Sequence, residues 1–157
     1  MDTSVKLVLH NAIPMLVVPA TMAEKQLSDF STDSLDVSVS FRESGFDGPG
    51  VPCTESHAWF YMLKVDATVA TAYRSLGDDL FSLAFTPEQL GAFVTKHRAL
   101  LHLTGKSSFF LLKEGEHISG GIFVPYQSRY FAIRLYVFNS PYVVRAKDEY
   151  LFLVHEQ

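Results

Sequence analysis

The stretch Cys53-Thr54-Glu55-Ser56-His57 sets a thiol, a carboxylate, a hydroxyl and an imidazole within five consecutive residues. A thiol with a histidine four residues on has the parts of a nucleophile and its base. Thiolate chemistry needs a cation or a helix N-terminus to depress the thiol pKa, and the adjacent Glu55 works the other way. Cys53 is therefore expected to be an ordinary loop cysteine, neither catalytic nor bridged. It is the chain's one cysteine, which excludes an intramolecular disulfide framework and thiolate zinc sites.

The histidines come next. His97 and His102 lie in "TPEQLGAFVTKHRALLHL" (86–103), five residues apart, and diverge by about 140° at helical geometry. They cannot share a metal from one helix. Histidines 10, 57, 117 and 155 stand on separate segments, so no metal and no cofactor is expected. There is no phosphate-cradling glycine loop, no H-E-x-x-H and no G-x-S-x-G. His97 itself admits two roles. It could be a general base with a pKa set by burial, or a packing residue that gives one ring N–H to a carbonyl. No carboxylate lies one helical turn away to orient it, so the structural role is the expectation.

A third constellation is spread over two segments. His57, Trp59 and Tyr61 share one face of a strand at 57–65. Tyr130, Arg134 and Tyr136 share one face of a strand at 129–138, with Phe131, Ile133, Leu135 and Val137 opposite. The second set has the composition of a dry core. The Tyr/Arg set has that of a binding surface, because these side chains combine area, stacking and hydrogen bonding. The rival reading makes the tyrosines a second core layer and pairs Arg134 with an acid. If the two strands are neighbours, the six residues form one ligand- or partner-binding surface. The loop at 43–56 would then be placed to close over it.

The elements that must position these residues are legible in part. Leu7 and Leu9, in step with Val5, alternate with Lys6, Val8 and His10, and an apolar run between Pro14 and Pro19 reads as an edge strand. "LDVSVSFR" (35–42) alternates as a half-exposed strand. The loop 43–56 carries three glycines and two prolines. Residues 66–85 read either as a short helix from Asp66 to Gly77 followed by a strand, or as strand-turn-strand. The firm element is the helix. Thr86 is its N-cap, Pro87 its first residue, Gln89 completes a capping box and Gly105 stops it. At about 100° per residue, Leu90, Phe93, Val94, His97, Leu101 and Thr104 share a face, with Ala92, Thr95 and Ala99 opposite.

After Gly105, turns at Glu114-Gly115 and 125–128 separate strands that are apolar on both faces, such as "FFLL" and "LFLV". Such a sheet must be covered on both sides, by the helix on one and by N-terminal strands, a second subunit or a ligand on the other. The expected fold is α+β: an antiparallel β-sheet, built from a C-terminal four-strand meander plus the N-terminal strands. One principal helix at about 87–103 packs on one face, and residues 1–157 form a single domain.

Composition bounds the function. At 157 residues, 48% hydrophobic and 13% aromatic, the chain buries enough to fold unaided, roughly 70% of its unfolded surface at this length. The net charge of −4 and the absence of a basic run longer than Lys96-His97-Arg98 argue against nucleic acid. No apolar run reaches the ~20 residues of a membrane span. The apolar N-terminus is broken by His10, Asn11 and Pro14 and reads as strands, not as a leader. The expectation is a small, cytoplasmic, non-enzymatic binding protein for a small molecule or a protein, in the manner of an inhibitor or immunity protein. The alternatives are an enzyme using His57 or His97 as its acid–base residue, and a structural homodimer subunit.

Overall fold

Thr86 and Gln89 start the long helix as their types require. The Gln89 N–H donates to Thr86 Oγ1 (3.2 Å) and the Thr86 N–H to Gln89 Oε1 (2.9 Å), and Gly105 ends it at a left-handed φ of 65° that costs a glycine nothing. The computed structural model describes residues 4–126 and 130–156. In chain order they form β1 (Leu7–Leu9), β2 (Leu16–Val18), β3 (Leu35–Val37), α1 (Ser40–Glu43), β4 (Ser56–Leu63) and β5 (Ala67–Thr68). Then come α2 (Val69–Arg74), α3 (Pro87–Thr104), β6 (Ser108–Glu114), β7 (His117–Pro125), β8 (Phe131–Tyr136), β9 (Val143–Val144) and β10 (Leu151–Glu156). The fold is α+β: an eight-stranded, mostly antiparallel mixed sheet with α3 packed against it. Its order is β1-β4-β10-β6-β7-β8-β3, with β2 also on β4, and β5 and β9 form a separate pair.

Three local readings change. The strand expected over 35–42 ends at Val37, because Ser38 makes the last ladder bond to the Ile133 carbonyl and its hydroxyl takes the Ser40 N–H. The chain then turns into α1, which buries Phe41 and leaves Val39 outside. In 66–85, α2 is capped by Thr68 and not by Asp66, whose carboxylate takes the Ala146 N–H; "LFSL" is a 3-10 turn and not a strand. The C-terminal strands begin as the expected meander, β6-β7-β8, but the fourth, β10, does not follow β8. Its "LFLV" is apolar on both faces and takes a central place, antiparallel to β4 and parallel to β6. The connection 137–150 is long enough for that crossover.

Both faces of the sheet are covered from within the chain. On the first face Phe60, Phe110, Phe123, Phe131 and Leu153 pack against Leu90, Phe93, Val94 and Leu101 of α3. On the second, Phe109, Leu111 and Phe152 pack against Val69, Ala72 and Tyr73 of α2 and against Phe138 and Val144. Each fully buried aromatic contributes about 1.5–3 kcal/mol. The second layer thus supplies what a homodimer or a ligand was invoked to supply.

β10 and β6 pair only at Leu151–Ser108 and Phe152–Phe109. Beyond that they part into a fork. Tyr73 Oη sits in its crotch, 3.0 Å from the Phe109 carbonyl and 2.9 Å from that of Leu153, carbonyls that separating strands would leave unpaired. Phe85 is the wedge. Its N–H donates to the Leu111 carbonyl, and its own carbonyl accepts the Lys113 N–H. The wedge delivers Thr86, so α3 starts from the fork.

Candidate functional site

The first half of α3 is enclosed and the second half is not. Glu88, Gln89, Leu90, Gly91, Phe93 and Val94 are buried, since the turn Leu27–Phe30 lies on the helix's outer side; a Cβ on Gly91 would sit 2.2 Å from the Phe30 ring. At His97 the helix kinks, with φ −106° and ψ 18°. His97 is half-buried on the sheet side. Its ring packs on Phe93 at 4.8 Å, and its Nε2 lies 2.7 Å from the Val17 carbonyl, to which it donates. This is the geometry of a packing histidine.

Past the kink no described segment covers the outer side, and Leu103 is 81% exposed. A groove of about 890 Å³ follows this half of the helix down to Phe131 of β8. Ala99, Leu100, Leu103 and Phe131 give it an apolar surface. Lys96, Arg98 and His102 bring basic groups, and among the described residues no Asp or Glu lines it. Arg98 is held in place: its guanidinium lies over the Phe131 ring, 5.6 Å from the centroid, and contacts Ser34 Oγ. His102 packs edge-on to Phe131 and its Nε2 is 3.1 Å from the Tyr126 carbonyl. The sequence signal for it is the basic run Lys96-His97-Arg98, too short for a phosphate track but long enough to line one groove.

The six residues expected to form one surface fall into separate places. Tyr130 precedes β8, which runs only over Phe131–Tyr136 and not 129–138; the other five are in phase with the second face, but β4 and β8 are separated by β10, β6 and β7, roughly 19 Å at normal strand spacing. Trp59 donates its indole N–H to Glu156 (2.6 Å). His57 is half-buried and stands opposite Glu156 in the β4–β10 register. The Tyr61 hydroxyl pKa is raised by burial and by Glu156. Tyr136 packs edge-on to Phe109, as a second core layer would. Tyr130 packs at a tilt on Tyr126, ring centroids 5.7 Å apart, and exposed Arg134 donates to the Tyr126 hydroxyl (3.2 Å). These two stand round the end of the sheet from the groove, joined to it through Tyr126 and His102. The loop 43–56 lies against the other end of α3: Gly50 abuts Thr86, and buried Asp47 binds the Ser28 N–H and hydroxyl.

Cys53 and His57 do not form a pair. His57 is in phase with the second face, whereas Cys53 lines a cleft of about 290 Å³ with Thr54, Ser56, Gln89 and Lys113. Beneath the cleft is an arrangement that the sequence analysis missed. The Ser56 hydroxyl lies 2.7 Å from His155 Nε2, and His155 Nδ1 lies 3.0 Å from the Ala84 carbonyl. A carbonyl only accepts, so Nδ1 carries the proton and Nε2 accepts from Ser56. Burial lowers the His155 pKa to about 4, with the Ala84 hydrogen bond opposing and the Lys113 charge assisting. The available signal was phase: His155 follows Leu151 and Leu153, and Ser56 precedes Ala58 and Phe60, so two polar residues stand on apolar faces.

Among the described residues no cluster of His, Cys, Asp and Glu could hold a metal ion, and no helix is long and apolar enough to cross a membrane. Comparison with family models, curated proteins and solved structures gives no match.

Proposed function

We propose that the chain is a binding protein for small anionic amphiphiles, molecules with an apolar body and one anionic group, held in the groove along the second half of α3. One observation carries the reading: on a chain of net charge −4, the groove is apolar inside, bears Lys96, Arg98 and His102, and has no carboxylate in its lining among the described residues. Its volume is that of small-molecule sites, about 300–1,000 Å³, which are mostly apolar with a few placed polar groups. The negative end of the α3 dipole points the same way and opposes an anion by about 0.3–1 kcal/mol. Two full cations, one stacked on an aromatic ring and so costing little to order, outweigh that.

The test is calorimetric titration with decanoate, decanol and decyltrimethylammonium. Decanoate binds with one-to-one stoichiometry, the cation does not, and the alcohol is intermediate. Arg98→Gln weakens decanoate about tenfold, the loss of one charge-assisted contact worth about 1.4 kcal/mol. Equal binding of anion and cation, or no binding of either at millimolar concentration, overturns the reading.

A further inference from the structure

The fork between β6 and β10 holds a second site, at the opposite end of α3 from the groove and independent of it. We propose that Ser56 is a nucleophile activated by His155, which takes the acyl group of a small activated ester in the cleft formed by residues 51–54, Ser56, Gln89 and Lys113. Four observations support it. The hydroxyl and the imidazole are at 2.7 Å with the donor and acceptor in the catalytic sense. Ala84 fixes the required tautomer through Nδ1, the role that a carboxylate has in a triad. Ser56, though 4% exposed overall, forms part of the cleft lining. The cleft also brings donors: the Gln89 carboxamide oxygen is taken by the Thr86 N–H, so that side chain offers its NH2, and the Lys113 ammonium, which donates to the Phe81 carbonyl (3.2 Å), keeps two further N–H groups.

The chemistry balances without a further reagent. Ser56 Oγ bonds to the ester carbonyl carbon while its proton passes to His155 Nε2. The developing oxyanion is met by the Gln89 and Lys113 donors. As the ester C–O bond breaks, the imidazolium returns that proton to the leaving oxygen. Water then attacks acyl-Ser56 by the same relay, releasing the acid and restoring the hydroxyl. Burial keeps the imidazole neutral, with a pKa of about 4, so the base form is present at neutral pH. It is a weak base with no carboxylate behind it, which restricts the substrate to esters with good leaving groups. The cleft, about 290 Å³, lies near the lower limit of small-molecule sites and restricts the acyl chain to a short one.

The experiment is labelling of the full chain with a small alkyl fluorophosphonate, read by intact mass and peptide mapping. One adduct on Ser56 is expected, absent in Ser56→Ala and slowed at least a hundredfold in His155→Gln. Should His155→Gln not fold, Ser56→Ala, which removes one hydroxyl, decides alone. No adduct on the wild-type chain, or an adduct that forms equally in Ser56→Ala, overturns the proposal. Loss of decanoate binding in the groove bears on neither result.

Discussion

Two buried polar side chains at the fork have consequences for stability that can be measured separately. His155 titrates near 4 in the folded chain against an ordinary 6.5, so between those values the unfolded chain binds the extra proton. Its contribution is complete above pH 6.5, is lost as pH falls toward 4, and amounts to about 3 kcal/mol over that window. Denaturant midpoints taken from pH 7 to 4 should show this slope in the wild type and a flatter one in His155→Gln. Tyr73 contributes both a ring to the second core layer and a hydroxyl to the fork, and the two can be separated. Tyr73→Phe keeps the ring against Phe152 but strips the Phe109 and Leu153 carbonyls of their partner. It should cost about 1–3 kcal/mol in urea unfolding, the penalty for buried acceptors left unsatisfied.

At the scale of elements, α3 shows two opposing effects at one residue. Gly91→Ala gains about 1 kcal/mol of helix propensity, but the new Cβ meets the Phe30 ring at 2.2 Å. Overpacking costs about 1–3 kcal/mol, so the variant should melt below wild type by thermal denaturation. The helix itself was legible because its signals are local: Thr86, Pro87, Gln89 and Gly105 act within one turn of where they stand. The partners of β10 were not legible, because a strand apolar on both faces states that it is central without stating between which neighbours. The groove shares that limit. Lys96, Arg98 and Leu103 are visible in the sequence, but the bareness of that half-helix is set by Leu27–Phe30 covering the other half. The Ser56–His155 contact spans ninety-nine positions, and only the apolar phase of each strand hinted at it. The separation of β4 from β8 was not legible for a similar reason: period-two alternation gives the face of a strand, never its place in the sheet.

At the scale of the whole molecule, the two functional proposals sit at opposite ends of one helix, about 27 Å long at 1.5 Å per residue. The covered end holds a polar fork under a small cleft; the bare end holds an apolar groove with basic groups. Both sheet faces are closed by the chain's own helices and turns, so neither proposal calls on a second copy. Ligand binding in the groove is tested by amide chemical-shift mapping of the labelled chain during decanoate titration. Saturable shifts concentrated on residues 95–103 and Phe131 are expected, diminished throughout in Arg98→Gln. Shifts centred instead on the Trp59–Glu156 end of the sheet, or scattered without saturation, would contradict binding in the groove.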